Sequence, residues 1–351
     1  MLAYRITDWL APARLVEVPV PEPGPHQVRV KVAGCGLCHS DLAMGQMPGE
    51  VGESIGWKVP FTLGHETAGW VDAVGTDVDA GLALGEGDPV ALVSPSSCGS
   101  CRWCRRGQEN ACPHGLVGRG YGRDGGLAEY VLVEDPSRSL VLLDGLDPFI
   151  SGPLMDAGAT SHHAVRRVLS HLTPDSTAVV IGVGGLGNFA VQLLRAMTPA
   201  RVVAIDQNGR RRQVALDRGA HHAIEGVDPS TAEVMVSIVG SDSIDVVLDV
   251  VGTDSTIAFA TTVLSPGGAL GLLGAAGGSL RRPWFGSLPR DGQVFTFQGS
   301  DLVDARGVVA LAATGRVTVD VEPFALDDVA RAYEQLESGL LSARAVVRPV
   351  T

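Results

Sequence analysis

Aromatic residues and positive charges are both scarce in this sequence. Phe, Trp and Tyr make up 5% of its 351 residues, and 27 Lys and Arg stand against 39 Asp and Glu, which gives a formal net charge of −12. An acidic balance of this size argues against a nucleic-acid partner. The few aromatics, together with 45 glycines, indicate small-residue packing and many tight turns, as in α/β proteins.

Signals for export and for a membrane span are also lacking. An uncharged run at residues 176–194 is interrupted by glycines, Asn188 and Gln192, so we predict no membrane span there. Residues 1–12 carry Arg5 and Asp8 and have no apolar stretch followed by a small-residue cleavage site, as an export signal would. We therefore expect a cytoplasmic protein.

Cysteine is rare, with six residues in the chain. In a cytoplasmic protein, six cysteines are more typical of metal ligands than of disulfides. Four share one short loop with C-x2-C-x2-C-x7-C spacing, and four thiolates complete a tetrahedral zinc shell that has no open position. We predict a structural zinc ion here, the alternative being free thiols or a redox switch. The four ligands are Cys98, Cys101, Cys104 and Cys112.

Two patterns divide the chain. Residues 1–150 contain short apolar runs broken by Pro and Gly, which predicts a β-rich module. After Pro153, helical spacing alternates with buried strands, which predicts an α/β domain with a parallel, doubly wound sheet. Residues 300–351 are expected to return to the β-rich module. The predicted helices cover residues 157–169, 186–197, 209–218 and 255–264, and the predicted strands cover 178–181, 201–205, 245–250, 269–273 and 294–298.

A glycine-rich turn follows the first strand of the α/β part. Residues 182–187 read Gly-Val-Gly-Gly-Leu-Gly, which matches the G-x-G-x-x-G pattern of dinucleotide-binding proteins. Such glycines allow a tight turn and a close approach to a pyrophosphate, whose charge is met by the helix N-terminus. The predicted site residues are Gly182, Gly184, Gly185, Leu186 and Gly187. The alternative is an ordinary glycine-rich turn.

An acidic residue at the end of the next strand selects the cofactor. Asp206 lies 19 residues after Gly187 (206 − 187), where a carboxylate accepts hydrogen bonds from the adenosine ribose. Its charge disfavours a 2′-phosphate, so we predict NAD. Residues 210–212 are all arginine, and an arginine here is how NADP is accommodated. We interpret Arg211 and its neighbours as ribose contacts or solvated helix charges.

Metal-binding residue types recur in the β-rich module. Cys38 precedes His39, Ser40 and Asp41, and His65 follows a glycine; thiolate and imidazole are strong zinc ligands. Cys35 and Cys38 form a C-x-x-C pair, but we interpret Cys35 as an apolar residue because the four-cysteine loop already supplies a structural site. A catalytic zinc ion needs a third protein ligand and one open position. Asp156 is a candidate, and its spacing equally suits a helix N-cap.

Taken together, these motifs resemble the zinc-dependent medium-chain alcohol dehydrogenases, and in particular bacterial NAD-dependent secondary-alcohol dehydrogenases. The resemblance spans essentially the whole chain. It implies a GroES-like catalytic domain at residues 1–155 and 300–351, a Rossmann NAD-binding domain at 156–299, and two zinc ions per chain. The motifs are residues 38–41, 64–66, the four-cysteine loop, Asp156, 182–187 with Asp206, and 345–347.

The resemblance also implies roles for individual residues. Asp156 would be the third ligand of the catalytic zinc, Glu66 a group beside the metal that approaches it during ligand exchange, and Asp41 the carboxylate that orients His65. Ser40 would take the alcohol proton. Many relatives place a relay histidine three residues after this serine, where this chain has Ala43.

His39 therefore has two implied roles, a pyrophosphate contact and a proton carrier. The implied substrate is a small-molecule alcohol, secondary or aryl/alkyl in class, oxidised to a ketone or aldehyde. Alternatives are a polyol or hydroxy-acid dehydrogenase of the same superfamily and a catalytically silent NAD-binding protein. Family members assemble as tetramers or dimers, so a homotetramer is expected, with a homodimer as the alternative.

Overall fold

A computed structural model describes residues 1–240, 244–281 and 283–349. The chain forms two compact units. The first comprises Met1–Ala159 and Gly299–Thr351, and the second comprises Thr160–Gln298. None of the helices in these described ranges is both long enough and apolar enough to span a bilayer.

The first unit is dominated by β-structure. Its first segment contains the strands β1 (Leu2–Ile6), β2 (Arg14–Glu17), β3 (Val28–Gly36), β4 (Phe61–Thr62), β5 (Glu66–Val74), β6 (Pro89–Leu92), β7 (Gly118–Arg119), β8 (Gly122–Arg123), β9 (Tyr130–Val133) and β10 (Leu140–Leu142), and the helices α1 (His39–Gly45), α2 (Gly49–Ser54), α3 (Pro136–Ser139) and α4 (Pro148–Ser151). β3 is central, because it pairs antiparallel with both β5 and β9. Alternating Val28, Val30 and Val32 are fully or almost fully buried.

The second unit is a parallel sheet with helices between its strands. It contains most of α5 (Ala157–Val168), whose first turn belongs to the first unit, and also β11 (Thr177–Ile181), α6 (Gly185–Met197), β12 (Arg201–Asp206), α7 (Gly209–Asp217), β13 (His222–Glu225), α8 (Thr231–Val239), β14 (Ile244–Asp249), α9 (Asp254–Val263), β15 (Ala269–Leu272) and β16 (Gln293–Thr296). The strand order is β13-β12-β11-β14-β15-β16. This is the 3-2-1-4-5-6 order of the Rossmann fold, so the predicted doubly wound sheet is confirmed. The patterns did not predict β13 or α8.

The last segment belongs to the first unit. It contains α10 (Leu302–Ala313), β17 (Val321–Ala325), α11 (Val329–Glu337) and β18 (Arg344–Arg348). β18 pairs antiparallel with β3, with Val346 opposite Gly36 and Val347 opposite Cys35, and parallel with β17. The C-terminal strand is therefore inserted beside the strand that leads to Cys38.

Candidate active site

The pairing of β3 with β5 brings two metal-binding side chains together. In this antiparallel register Gly36, the last residue of β3, lies opposite Glu66, the first residue of β5. Cys38 lies two residues beyond Gly36 and His65 one residue before Glu66, so both lie at the same end of the ladder. His65 is preceded by Gly64, whose φ of +98° and close contact with Leu127 exclude a side chain.

Asp156 reaches the same place through a tight helical turn. The turn spans Gly152–Met155 and leads directly into α5. A Cβ on Gly152 would lie 2.1 Å from the carbonyl oxygen of Glu66. The absence of a side chain at Gly152 therefore allows the turn to pack against β5, and this contact places Asp156 beside His65.

Four potential metal donors converge here. One donor atom from each residue lies within 4.8 Å of the others, and the set comprises Cys38, His65, Glu66 and Asp156. His65 Nε2 lies 3.5 Å from Asp156 Oδ2. Two ligands of a tetrahedral zinc ion with bonds of about 2.1 Å are about 3.4 Å apart. The sulfur, nitrogen and oxygen donors therefore fit a zinc ion in both chemistry and spacing, and the structure unites the three ligands that the resemblance implied.

Asp41 fixes the other side of the imidazole. Its Oδ1 lies 3.0 Å from His65 Nδ1, and its Oδ2 accepts a hydrogen bond of 3.0 Å from the backbone N–H of Cys38. Asp41 is 2% exposed. A carboxylate on Nδ1 leaves Nε2 as the nitrogen that faces the donor set, which is how histidine ligands are commonly oriented.

Ser40 and His39 form the first turn of α1, and both are exposed. Ser40 lies two residues from Cys38 in the chain, on the exposed surface of the same turn. Ser40 is thus exposed within the helix that follows Cys38. His39 lies on the same exposed turn, next to Cys38 in the chain.

Glu66 is paired with a residue that sequence reasoning missed. Its carboxylate, 0% exposed, accepts from Arg344 Nε at 3.0 Å and also from Arg344 Nη2. Burial, only partly opposed by Arg344, raises the pKa of Glu66 to about 7. Arg344 Nη2 also lies 4.0 Å from Asp156 Oδ2. Nothing near Arg344 in the sequence, apart from the following valines of β18, marks it as a site residue.

The charges around His65 are unusually dense. Burial lowers the pKa of His65, but interactions with Tyr121, Asp41 and Asp156 outweigh burial and raise it well above its usual value. Burial raises the pKa of Asp156, but interactions with His65 and Arg344 outweigh burial and hold the pKa of this carboxyl below its usual value. A proton on His65 would compete with a metal ion for Nε2, so a metal bound here would be held more tightly at higher pH.

Cys35 differs from Cys38 in its surroundings. It is 0% exposed, and burial raises the pKa of its thiol to about 12. Its sulfur lies 3.5 Å from the hydroxyl oxygen of Thr67. A thiol that resists ionisation is a poor metal ligand and a poor redox nucleophile, which agrees with the apolar interpretation of Cys35.

The four-cysteine loop has the dimensions of a closed zinc shell. Its sulfur atoms are separated by 3.5 Å between Cys101 and Cys104, and by 4.0 Å both between Cys98 and Cys104 and between Cys101 and Cys112. Four sulfurs bound at about 2.3 Å around a tetrahedral zinc ion are about 3.8 Å apart. Hydrogen bonds from Ser100 lower the pKa of Cys98 to about 5, and the bond from its backbone N–H has the largest effect. The lowered pKa favours the thiolate. The donor set therefore fits a zinc ion.

The glycine turn of the second unit has the predicted form. Gly182 has a φ of +88°, and a Cβ on Gly187 would lie 1.7 Å from the Gly182 carbonyl oxygen. A Cβ on Gly184 would meet no atom within 4 Å. α6 begins at Gly185, and Leu186 in its first turn accepts a hydrogen bond from Ser161 through its carbonyl. The turn and the helix N-terminus thus form an open anion-binding corner.

Asp206 lies at the end of β12 and is 9% exposed. Its two oxygens accept hydrogen bonds from the backbone N–H groups of Val183, at 2.7 Å, and Asn208, at 2.8 Å. A carboxylate offers about four acceptor positions, so it retains capacity for ribose hydroxyls. The carboxylate also holds the glycine turn to β12.

The arginines that follow Asp206 have different surroundings. Arg212 Nη1 donates to the carbonyl oxygens of Asp206 and Gln207, both at 2.9 Å, and Nη2 donates to Glu225 at 3.3 Å. Arg211 is half-buried in the first turn of α7, where its backbone N–H donates to the side chain of Asn208. Arg212 is therefore occupied by contacts within its own unit.

Two family models match the chain. Residues 24–144 match the alcohol dehydrogenase GroES-like domain, and residues 185–314 match the zinc-binding dehydrogenase domain. These matches define the chain as an oxidoreductase built from a GroES-like and a Rossmann domain. It belongs to the zinc-type medium-chain alcohol dehydrogenase family, and the resemblance drawn from the sequence is confirmed.

Relatives within this family differ in substrate and cofactor. The chain is 32% identical to an NAD-dependent alcohol dehydrogenase of Sulfurisphaera tokodaii, over 99% of this chain and 100% of the relative. It is 31% identical to a D-arabinose 1-dehydrogenase (NADP+) of Saccharolobus solfataricus, over 96% and 95%. The solved structure of acetophenone reductase from Geotrichum candidum, in complex with NAD, aligns with a TM-score of 0.85 at 30% identity, over 99% and 97%.

Proposed function

We propose that this protein catalyses reversible hydride transfer between an alcohol and NAD, giving a ketone or aldehyde, with a zinc ion at the donor set of the first unit. Secondary or aryl/alkyl alcohols are the proposed substrates. The observation that carries the proposal is the convergence of Cys38, His65 and Asp156 within 4.8 Å, with spacing that suits a tetrahedral ion. The likeness to an acetophenone reductase supports the aryl/alkyl class.

The first unit supplies the metal ligands and the proton path. Cys38, His65 and Asp156 hold the zinc ion, which when bound supplies the Lewis acidity that lowers the pKa of an alcohol hydroxyl. Asp41 keeps the His65 ring in place from the opposite nitrogen. Ser40 accepts the alcohol proton, and because Ala43 occupies the usual relay position, His39 or water carries that proton onward.

Glu66 lies among the donors but is held by Arg344. We propose that it acts beside the metal, where a carboxylate can enter the coordination sphere during ligand exchange. Its pairing with Arg344 keeps this carboxylate available without leaving a buried charge uncompensated.

The second unit supplies the cofactor site. Its glycine turn lets a pyrophosphate come close to the backbone; the glycines are Gly182, Gly184, Gly185 and Gly187. The N–H groups of Gly185 and Leu186, at the N-terminus of α6, would face that pyrophosphate. In addition, we propose that His39 contacts the pyrophosphate when the cofactor binds.

NAD is the proposed cofactor because of Asp206. Its carboxylate is fixed by two backbone N–H groups, and its charge disfavours a 2′-phosphate. Arg212 is engaged by backbone carbonyls, and we propose that Arg211 contacts the ribose. Because one relative is an NADP-dependent D-arabinose 1-dehydrogenase, the preference of this protein for NAD over NADP should be measured directly.

The deciding experiment is a substrate panel scored by NAD reduction. Secondary and aryl/alkyl alcohols are compared with primary alcohols, polyols and sugars, each with NAD and with NADP. Cys38→Ala and Asp156→Ala should abolish turnover while NADH binding persists, and Cys35→Ala is the matched control because Cys35 contributes no donor. Full activity of protein stripped of metal by a chelator would refute the zinc role.

A second candidate is a polyol, sugar or hydroxy-acid dehydrogenase of the same family. The D-arabinose relative favours it, and preferential oxidation of polyols or sugars in the panel would establish it. A silent NAD-binding protein is disfavoured because Cys38, Ser40, His65 and Asp156 are all present. NADH binding without turnover of any substrate would support that reading.

We further propose the domain division 1–155 with 300–351, and 156–299, supported by two compact units of similar extent. Two zinc ions per chain are proposed, since both donor sets have zinc-like spacing. A cytoplasmic location is supported by the four closely spaced free thiols, since closely spaced cysteines in oxidising compartments commonly form disulfides. We expect a homotetramer, or else a homodimer. Supporting features are the edge position of β16 and the exposure of Trp284 and Phe285, 75% and 81%.

A further inference from the structure

Asp41 makes one more contact than its role toward His65 requires. Its Oδ2, which already accepts from the Cys38 N–H, also accepts a hydrogen bond of 3.0 Å from the Tyr333 hydroxyl. The two residues are 292 positions apart in the sequence. A single buried carboxylate thus links two metal ligands, Cys38 and His65, to α11 near the C-terminal end of the chain.

Tyr333 is fixed on its other sides. It is 5% exposed, and its ring stacks on that of Tyr4 with a centroid separation of 5.9 Å and an interplanar angle of 23°. Burial and the nearby Asp41 charge raise the pKa of Tyr333 well above its usual value. The hydroxyl therefore keeps its proton and acts as the donor to Asp41.

The geometry of these bonds restricts how Asp41 can turn. Oδ2 accepts from two donors, and Oδ1 lies 3.0 Å from His65 Nδ1, so these contacts together restrict the carboxylate that faces the His65 ring. Without the Tyr333 hydroxyl, Oδ2 would retain only the Cys38 N–H. The carboxylate could then rotate about its χ2 bond, which is a soft torsion.

We propose that Tyr333 is a positioning residue for the catalytic metal site and acts through Asp41 on His65 and Cys38. This inference rests on the proposed function, because it assumes a metal ion at that donor set. Outer partners of metal ligands commonly change metal affinity by about 10- to 100-fold. Tyr333 is one step further from the metal than Asp41, so an effect of about tenfold is expected.

The test measures zinc release rather than activity. Zinc-loaded protein is mixed with a chromophoric chelator, and the release rates of the two sites are assigned with Cys38→Ala and Cys112→Ser. Tyr333→Phe should accelerate release from the Cys38 site about tenfold and leave the four-cysteine site unchanged. Tyr4→Phe is the matched control, since it removes a hydroxyl from the stacked ring while the Asp41 bond remains. It should release zinc as the wild type does.

Two further readouts separate positioning from general loss of stability. With cobalt in place of zinc, the visible absorption of the Cys38 site should change in Tyr333→Phe and not in Tyr4→Phe. In an Asp41→Asn background, Tyr333→Phe should have little additional effect, because coupled residues are non-additive. Equal release rates and spectra for Tyr333→Phe and Tyr4→Phe, or full additivity with Asp41→Asn, would overturn the inference alone. Wild-type protein that holds no metal at the Cys38 site would overturn the proposed function as well.

Discussion

Two glycines of the dinucleotide turn, Gly187 and Gly184, should respond in different ways to replacement by alanine. A methyl group on Gly187 would lie 1.7 Å from the Gly182 carbonyl oxygen, about half of an ordinary contact distance of roughly 3.5 Å. The first turn of α6 must therefore move away from the end of β11. Overpacking of this kind costs about 1–3 kcal/mol, and we expect Gly187→Ala to lie at the upper end of that range.

Gly184→Ala should behave in the opposite way. No atom lies within 4 Å of the added methyl group, and the φ of Gly184 is −80°, outside the left-handed region that favours glycine. Its effect on stability should stay below about 0.5 kcal/mol. The methyl group would occupy the side of the turn where the backbone approaches a pyrophosphate, so the Kd for NADH should rise about tenfold, or about 1.4 kcal/mol.

Each variant is the control for the other. The assay combines thermal unfolding with an NADH fluorescence titration on both proteins. Gly187→Ala should lower the unfolding midpoint. Gly184→Ala should weaken cofactor binding, while its unfolding midpoint stays at the wild-type value. Wild-type NADH affinity in Gly184→Ala would refute the placement of the pyrophosphate at this turn, and wild-type stability in Gly187→Ala would refute the packing argument.

Three further predictions concern charge and metal. Arg344→Met should destabilise the chain by about 1–3 kcal/mol in urea unfolding, because it leaves the carboxyl of Glu66 buried without its partner; Glu66→Gln combined with Arg344→Met should recover part of this loss, and equal stabilities of the single and double variants would contradict it. Asp206→Gly should raise the ratio of kcat/KM for NADP to that for NAD, and an unchanged ratio would count against the cofactor assignment. Cys112→Ser should reduce zinc content by about one ion per chain and lower Tm while NADH binding remains, whereas unchanged zinc content would exclude a structural zinc in the loop.

The parts of the fold that the sequence predicted are those in which local pattern and tertiary environment agree. β11, β12 and β14 are buried on both faces and therefore read as continuous apolar runs. β13 is an edge strand with exposed His222 and half-buried Ala223 and Ile224, so its pattern is too polar and too short to stand out.

The helix α8 was missed for a related reason. Its sequence is rich in valine and isoleucine, which are weak helix formers. Its conformation is decided by packing, with Met235 buried in the core of the second unit. Local propensity carried no signal of that environment.

The residues of the candidate site also differ in whether a local sequence pattern marks them. Cys38, His65 and the glycine turn belong to short motifs whose chemistry is local, so spacing alone identified them as candidates. Arg344 and Tyr333 act over separations of 278 and 292 residues, through strand pairing and helix packing that no spacing pattern encodes. Asp156 is intermediate, because its position followed from the family resemblance, and its approach to His65 depends on the close packing of Gly152.

The insertion of β18 beside β3 has a consequence for synthesis. Translation delivers the metal-binding residues early, since Asp156 precedes Tyr333 by 177 positions (333 − 156). Until the final strand emerges from the ribosome and docks, Glu66 has no guanidinium beside it and Asp41 has no phenol. The buried carboxylates of Glu66 and Asp41 therefore receive their Arg344 and Tyr333 partners late in synthesis, after every candidate metal ligand of this site has been made.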